Sequence, residues 1–404
     1  MRWNWQLPDW PEFRFDAERI RASEEQFLKG SGVVIGALHH LDADARDGLT
    51  IELISQEVVD SSAIEGEILD RDSVQSSLAR HLGFAADQRR ASAAEAGAAE
   101  LMADVYRNHA ASLDGQTLFA WHAMLMNGRR DIADVGRYRT HEDEMQVVSG
   151  PLHAPRVHFE APPSDTVLME MSQFIAWFND SAPSSPNPLP AITRAAISHL
   201  WFESIHPFED GNGRIGRAIA EKALAQSLAA PTLTALAETI NRHRKAYYAA
   251  LQLGSQSNDI NAWLTWFADI VIEAQARTIT RIRFLIDKTR LLDRLRGEIN
   301  ERQERALLRI FREGPDGFAG GLSAGNYRTI TGASLATATR DLNELIEKGA
   351  LIRTGERRYA RYYLSIGITS DQSIGESLTR LPIITQNTWQ VILCGGDLPT
   401  AAKS

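Results

Sequence analysis

The sequence predicts a mainly α-helical protein, because its apolar residues recur at helical spacing in stretches that lack glycine and proline. Residues 194–205 contain neither breaker and place Ile197 and Trp201 four positions apart. Residues 220–228 repeat an apolar residue at every fourth position and stop before Pro231. Strand-like stretches are short and fall in two places. We therefore expect a helical core that carries small β-hairpins.

The composition allows a large core and excludes several classes of protein. The chain has 404 residues, 44% of them hydrophobic, which suits roughly two to four domains. Its net charge of −9 argues against nucleic acid wrapping the whole surface, although it permits one basic face. A single cysteine, Cys394, rules out an internal disulfide, and no zinc spacing is present. No apolar run approaches membrane-spanning length, so we expect a soluble, cytoplasmic protein.

Four regions are expected from changes in sequence character. Residues 1–90 start with a tryptophan-rich strip and continue as an N-terminal helical domain, and residues 91–290 form the main helical core. Residues 291–370 contain helices, turns and a β-hairpin. The tail, residues 371–404, has no interpretable pattern.

One segment, residues 206–217, has a composition that an ordinary core segment does not need. It reads H-P-F-E-D-G-N-G-R-I-G-R and lies between the two helices predicted above. The imidazole is a candidate base, Asp210 is a candidate ligand for Mg²⁺, and the two arginines suit phosphate oxygens. The glycine-flanked turn leads into the positive end of the second helix, where unpaired backbone N–H groups bind anions. These features predict polyphosphate chemistry.

Two other interpretations of this segment are weaker. Gly211, Gly213 and Gly216 match the dinucleotide fingerprint G-x-G-x-x-G, but that motif follows a β-strand, and a helix is predicted here. The lysine-containing P-loop pattern is absent.

For an isolated His206, a buried imidazole bonded to a backbone carbonyl would be the commoner arrangement. The carboxylate, amide and guanidinium groups that follow it favour catalysis instead.

The segment resembles the motif of the Fic family, H-P-F-x-[D/E]-G-N-G-R-x-x-R, at every fixed position. The resemblance implies an all-α core and transfer of AMP from ATP to a protein hydroxyl, with release of pyrophosphate. It also implies that His206 deprotonates the hydroxyl and that Asp210 holds Mg²⁺ on the phosphates. The ATP-binding residues implied within the motif are Gly211, Asn212, Gly213, Arg214, Ile215, Gly216 and Arg217. Of these, Arg214 would bind the β/γ end and Arg217 the γ-phosphate, and Gly213 stands where some phosphate-transferring relatives carry lysine.

The chemistry of the residues is consistent with that assignment. A Ser, Thr or Tyr hydroxyl is a poor nucleophile, so an imidazole with an ordinary pKa of about 6.5 is a suitable proton acceptor. Most of the rate acceleration would come from positioning and from neutralising phosphate charge.

A second motif lies far upstream, where Ser61, Glu65 and Gly66 fit [S/T]-x-x-x-E-[G/N], the inhibitory motif of the same family. Spacings of three and four residues from Ile51 onward place Ser61 and Glu65 on one helix face, with Gly66 as a C-terminal cap. The pattern alone also fits a surface glutamate that ends an amphipathic helix. The resemblance implies that Glu65 pairs with Arg217, takes the space of the γ-phosphate and makes the enzyme self-inhibited.

Residues 145–159 are predicted to form a β-hairpin, with β-prone residues on both sides of a turn-rich gap. The hairpin resembles the family's flap, which lies over the site, supplies Val148 to the nucleotide and pairs edge-on with the target segment. A structural hairpin packed on the helices is the alternative. Family precedent also places Tyr248 near the nucleotide base, although adjacent tyrosines equally suit a helix–helix contact.

Residues 300–363 resemble a winged helix. Ser334 is a predicted N-cap for an amphipathic helix that reaches Lys348, and a hairpin follows. DNA binding would use this region, but the helix carries three acidic residues against Arg340 and Lys348. Protein–protein docking or a dimer contact is the alternative.

Together these residues predict a self-inhibited protein adenylyltransferase that uses ATP and Mg²⁺ to modify a Ser, Thr or Tyr hydroxyl of a target protein or of itself. One rival function is the reverse reaction, in which Glu65 helps water to remove AMP, as it does in some relatives. The other is a DNA-binding regulator that uses the helical core as a nucleotide sensor. A homodimer is compatible with each. The sequence identifies neither the target nor the signal that withdraws Glu65.

Overall fold

The computed structural model describes residues 2–39, 41–85, 89–149, 156–314, 317–318 and 320–366. They fall into two compact units. The first unit comprises Met1–Arg296 and Leu307–Ala319, and the second comprises Gly297–Ala306 and the residues from 320 onward. The predicted N-terminal domain, residues 1–90, therefore belongs to the same compact unit as the predicted core. The predicted tail, with Cys394, lies outside the described residues.

The described residues are mainly helical, as predicted. The α-helices are α1 Arg21–His39, α2 Ala43–Ile64, α3 Arg71–Leu82, α4 Ala93–Arg107, α5 Gly115–Leu125, α6 Val167–Asp180, α7 Ala191–Ile205, α8 Asn212–Leu228, α9 Leu236–Arg242, α10 Arg244–Gly254, α11 Asn261–Arg294, α12 Glu301–Arg312, α13 Ala324–Thr331 and α14 Leu335–Glu347. Two antiparallel hairpins accompany them: β1 Gln146–Ser149 with β2 Arg156–Glu160, and β3 Leu351–Thr354 with β4 Arg361–Leu364.

Helix α7 lies at the centre of the first unit and is buried along nearly its whole length. It packs against α1, α6, α8 and α11, and most closely against α8. Two long-range hydrogen bonds join this core: Trp263 donates to the carbonyl of Ala196 at 2.9 Å, and Arg194 donates to the carbonyl of Phe178 at 2.7 Å. The predicted helix over 194–205 is thus the C-terminal part of a longer buried helix.

Both helices flanking the motif begin or end on a left-handed residue. Helix α7 ends at His206, whose φ is 52°, and α8 begins after Gly211, whose φ is 82°. A left-handed φ is unusual for histidine and easy for glycine. With one such residue at each end, the six-residue loop between the helices, residues 206–211, turns sharply. The loop therefore returns the chain directly alongside α7.

The second unit has the helix–turn–helix–hairpin order that the sequence predicts. The Ser334 hydroxyl accepts a hydrogen bond from the backbone N–H of Thr337 at 3.2 Å, as expected for an N-cap. An isolated antiparallel bridge joins Leu322 to Tyr362 on β4. Asp341, one of the acidic residues counted on the second helix, is buried.

Asp341 is held by charge and by hydrogen bonds inside the second unit. Its side chain is 1% exposed, and its carboxylate accepts from Arg302 at 3.0 Å and from the Tyr327 hydroxyl at 3.0 Å. A buried carboxylate is tolerated only when it is paired in this way.

Within the described residues, no helix combines the length and the apolar composition needed to cross a lipid bilayer.

Replacing Asp341 by alanine is expected to loosen the second unit, because Arg302 and the Tyr327 hydroxyl lose their shared acceptor. The cost is roughly 2–4 kcal/mol. Amide hydrogen exchange in α13 and α14, followed by mass spectrometry on the full chain, should speed up accordingly. Glu347→Ala, on the exposed face of the same helix, is the matched control. Equal exchange in the two variants would contradict the assignment.

Candidate active site

The loop between α7 and α8 is closed by the side chain of Asn212. Its amide oxygen accepts from the backbone N–H of Phe208 at 3.0 Å, and its amide nitrogen donates to the Phe208 carbonyl at 2.8 Å. The side chain is buried. The side-chain amide of Asn212 therefore fixes the loop. Of this residue, the backbone N–H is the group that remains at the end of α8.

Arg139 holds the other side of the same loop. Its guanidinium donates to the carbonyl of His206 at 2.9 Å and to that of Pro162 at 2.6 Å, and its backbone N–H donates to Pro207 at 2.9 Å. Burial lowers the pKa of Arg139 to about 10, so the side chain remains charged near neutral pH. Arg139 is not among the residues that the sequence predicts for the site. A buried arginine cannot be recognised from sequence when its partners are backbone carbonyls of distant segments.

The imidazole of His206 is set into the wall of the site. Its Nδ1 lies 3.8 Å from Oε2 of Glu203, and its ring centroid is 6.3 Å from that of Phe159 on β2. Burial, followed by the nearby charge of Arg139, lowers the pKa of His206 to about 4. Glu65 and Asp210 act in the opposite direction. The ring is therefore neutral near pH 7 and can accept a proton.

Glu203, which the sequence did not single out, lies beside His206 on the last turn of α7. Burial raises the pKa of Glu203 to about 8, and the charge of Glu65 contributes in the same direction. A Cβ at position 216 would lie 2.6 Å from its Oε1 and 3.1 Å from Nδ1 of His199. Gly216 thus leaves room for a buried acid between the helices. The signal available in the sequence was an acidic residue on an otherwise buried helix face, three positions before the histidine.

The N-terminus of α8 lacks a side-chain cap at Gly211. Its first N–H groups, at residues 212–214, therefore point out of the helix with a partial positive charge. Asp210 and Gly211 lie at the rim of this end, and Ile215 and Gly216 are buried within the helix. The arrangement is a site for an anion.

Arg217 is a buried cation of the site. Its side chain is 2% exposed and donates to the hydroxyl and carbonyl of Ser61 at 2.9 and 2.8 Å. A further contact of 2.8 Å joins it to Oε1 of Glu65. The contacts raise the pKa of Arg217 against the effect of burial. A methyl group at Gly213 would overlap the Glu65 carboxylate, so glycine at this position makes room for the pair.

Arg214 and Asp210 belong to a second group of charges at the same helix end. Arg214 donates to Oε2 of Glu67 at 2.6 Å and lies 3.6 Å from Oδ1 of Asp210. The other oxygen of Asp210 accepts from Arg129 at 2.9 Å. Neither Arg129 nor Glu67 was a sequence-predicted site residue. Both are charged residues next to a recognised motif, which is the only signal the sequence offered for them.

The donor set at this end suits a hard divalent cation that is shared with a phosphate ligand. Mg²⁺ in such sites takes one or two carboxylates, water and substrate oxygens. Asp210 supplies one carboxylate at the rim of the anion site, with its side chain 38% exposed. No group of three or more acidic, histidine or cysteine side chains within the described ranges could bind a metal without such a ligand. Asp210 is therefore the residue that would hold Mg²⁺.

The remaining predicted residues lie around the mouth of the site. Gly66 follows α2 with a φ of 86°. Tyr248 is partly exposed, and its hydroxyl donates to the carbonyl of Ile64 at 3.0 Å, whereas Tyr247 is a core residue. Val148 is exposed on β1, opposite Val157 of β2. Residues 150–155 of the predicted hairpin lie outside the described residues.

Two family models match the chain. Residues 3–84 match a model described as "Domain of unknown function (DUF4172)", and residues 112–224 match the Fic/DOC family.

Named relatives are similar over part of the chain. Protein adenylyltransferase fic-1 of Caenorhabditis briggsae is 30% identical over 128 residues, 32% of this chain and 22% of that protein. Protein adenylyltransferase Fic of Drosophila ananassae is 31% identical over 112 residues, 28% of this chain and 20% of that protein. The chain thus matches about a fifth of the length of these curated relatives. A solved Fic family protein from Desulfovibrio desulfuricans G20 aligns with 88% of this chain and 98% of its own, at 20% identity and a TM-score of 0.49.

Replacing Glu203 by glutamine is expected to change how stability depends on pH. The native pKa of about 8 lies above the ordinary glutamate pKa of 4.5, so the native state binds more protons than the unfolded state between those values. The unfolding free energy of the wild type should therefore fall as pH rises through that window and level off above it. The melting temperature of Glu203→Gln, relative to wild type, should rise by roughly 3–6 °C across the window. Glu25→Gln, at an exposed ion pair on α1, is the control. Parallel melting curves for Glu203→Gln and wild type would contradict the burial of a protonated acid.

Proposed function

We propose that this chain, which contains a Fic domain over residues 112–224, transfers AMP from ATP to a hydroxyl group of a protein. The observation that carries the proposal is the convergence of a neutral imidazole, a rim carboxylate and two guanidiniums on one uncapped helix N-terminus. Relatives named protein adenylyltransferases support the same reaction class. ATP is the proposed substrate, and a Ser, Thr or Tyr hydroxyl is the proposed acceptor.

The residues have distinct roles in the proposed reaction. His206 takes the proton of the attacking hydroxyl, the hydroxyl oxygen forms a bond to the α-phosphorus, and the bond from that phosphorus to the β-phosphate oxygen breaks. Pyrophosphate leaves with the electron pair. The N–H groups at the start of α8, together with Arg214 and Arg217, neutralise charge on the polyphosphate. Mg²⁺, when held by Asp210, would supply further charge neutralisation.

The hairpin of β1 and β2 supports a protein acceptor. The sheet consists of the two strands β1 and β2, and an extended segment of a target can add to a strand of such a hairpin. Phe159 on β2 lies near the His206 ring. A hydroxyl-bearing side chain on a target segment that pairs with this hairpin would be brought to the imidazole of His206.

Self-inhibition by Glu65 follows from the contact with Arg217. The carboxylate takes the guanidinium that would otherwise meet the γ-phosphate, and it lies against Gly213 at the start of α8. Two anions do not share this guanidinium in a buried site without a repulsive cost. ATP bound beside Glu65 is therefore held in an unproductive position.

Substitution of Glu65 by glycine is expected to raise transfer of AMP to protein by about 10-fold or more, because Arg217 becomes available to the terminal phosphate. His206→Ala in the Glu65→Gly background should lower transfer by roughly 10²–10⁴-fold, the usual contribution of a general base. Both are measured as radioactivity incorporated from α-labelled ATP into added protein and into the chain itself.

ATP binding is the control for these variants, and it should be retained in Glu65→Gly/His206→Ala. Equal labelling by wild type and Glu65→Gly would refute the inhibition. Undiminished labelling by the double variant would refute the role of His206. Release of AMP from a previously modified protein, faster in wild type than in Glu65→Gly, would identify the reverse reaction as the main activity.

A second function, binding of duplex DNA, is favoured by one feature of the second unit. Asp341, counted against DNA binding in the sequence, is buried and paired with Arg302, so part of its charge is compensated inside the unit. The outer face of α14 presents Arg340, which is 66% exposed, with Thr339 and Asn343. Exposed Arg353 lies on β3 of the following hairpin. Side chains of these types read base edges and phosphates in other helix-in-groove proteins.

The DNA hypothesis predicts that the full chain binds a random duplex at low salt and loses affinity as salt rises. Arg340→Ala/Arg353→Ala should weaken binding by about 10-fold, measured by fluorescence anisotropy, and Glu347→Gln should not weaken it. Binding that is absent at low salt, or unaffected by the double substitution, would contradict the hypothesis and leave protein docking as the role of the unit.

A further inference from the structure

The turn after α2 places two carboxylates, not one, against α8. The helix ends in a six-to-one turn: the N–H of Gly66 donates to Ala63 at 3.1 Å, and the N–H of Glu67 donates to Ser62 at 3.0 Å. This is the cap in which the first residue beyond the helix takes a left-handed conformation, and Gly66 does so with a φ of 86°. The chain therefore doubles back, and the side chains on both sides of the glycine point to the same neighbour.

The neighbour is the pair of arginines that follows the glycine-rich loop. Arg214 and Arg217 are three residues apart on α8 and so lie on one helix face. Glu65 contacts Arg217 at 2.8 Å, and Glu67 contacts Arg214 at 2.6 Å. Two carboxylates that flank one glycine thus match two guanidiniums that are one helical turn apart.

Burial differs between the two sides of these pairs. The side chains of Arg217 and Arg214 are 2% and 9% exposed, whereas those of Glu65 and Glu67 are 31% and 38% exposed. The cations are therefore fixed in the wall, and the carboxylates sit at the mouth, from which they can move into solvent. A ligand that approaches from the mouth replaces the carboxylates and leaves the arginines in place.

Arg214 does not depend on Glu67 to remain charged and ordered. Its Nη2 lies 3.6 Å from Asp210, and its Nε has no hydrogen-bond partner within the part of the chain that the structure describes. The guanidinium of Arg214 can therefore donate a hydrogen bond to another anion. This distinguishes Glu67 from a structural partner whose loss would leave a buried charge unpaired.

We propose that Glu67 is a second inhibitory carboxylate, which occupies Arg214 as Glu65 occupies Arg217, and that it sets which nucleotides enter the site. The inference rests on the proposed function, because it takes the arginines as polyphosphate ligands. Glu65 competes with the terminal phosphate of a triphosphate. Glu67 competes with the β-phosphate, which nucleoside diphosphates also possess. A nucleoside monophosphate has neither of these phosphates, so neither carboxylate competes with its binding.

The test is the dissociation constant of ATP, ADP and AMP for the full chain, measured by isothermal titration calorimetry with Mg²⁺ present. Glu67→Gln should bind both ATP and ADP about 3- to 10-fold more tightly than wild type and AMP equally well, since a partly exposed charge pair is worth about one order of magnitude at most. Glu65→Gly should tighten ATP more than ADP. Glu65→Gly/Glu67→Gln should bind ATP most tightly and transfer AMP fastest.

Two further variants keep the result interpretable. Glu67→Asp retains the charge on a shorter chain and should resemble Glu67→Gln if the contact with Arg214 is what matters. Glu25→Gln, at an exposed ion pair on α1, should match wild type for all three nucleotides. Melting temperatures of Glu67→Gln, Glu67→Asp and Glu25→Gln should stay close to that of wild type.

The outcomes separate this inference from the proposed function. If Glu65→Gly binds ATP and transfers AMP but Glu67→Gln binds ATP and ADP like wild type, the inference fails alone. It also fails if Glu67→Gln binds more weakly or unfolds at lower temperature, because Glu67 would then be a structural support. If neither wild type nor Glu65→Gly binds ATP, the proposed function fails and the inference fails with it.

Discussion

The closed loop between α7 and α8 is the constraint on which the candidate site depends. Gly216 leaves room for the Glu203 side chain where α7 and α8 meet, and Gly213 leaves room for the Glu65 carboxylate from the turn after α2. The loop that joins α7 and α8 has its backbone satisfied by the amide of Asn212 and the guanidinium of Arg139. With those polar groups paired inside the core, His206 is held in a left-handed conformation that would otherwise be costly. The position of the imidazole thus follows from loop closure.

Charge balance connects this loop to the N-terminal part of the chain. Two buried guanidiniums on α8 need anions, and the segment after α2 supplies them. In the proposed function, binding of a polyphosphate at the same helix end is therefore an exchange of anions, and its affinity includes the cost of moving the carboxylates away. Burial, with a smaller contribution from the charge of Glu65, raises the pKa of Glu203 to about 8 and keeps that acid protonated next to the neutral His206. In the proposed function, inhibition by the carboxylates and binding of the nucleotide are one equilibrium.

Much of the fold and part of the site could be predicted from the sequence. Helices α2, α7, α8 and α14 follow from apolar periodicity and local caps, and the Ser334 cap was located to the residue. The Fic motif identified the histidine, the carboxylate and both arginines. The direction of individual side chains was less predictable. The Asn212 amide binds the loop backbone, the Tyr248 hydroxyl binds the end of α2, and Asp341 turns inward.

The sequence by itself determined which elements form and which chemical groups the motif contains, because helix periodicity, capping and turn residues act over a few neighbouring positions. The tertiary structure decided which groups meet. Glu67 and Arg214 are separated by 147 positions, and Arg139 reaches His206 across 67. No local pattern encodes such pairs, since they form only when packing of the helices brings distant charges into one low-dielectric site, where each must find a partner.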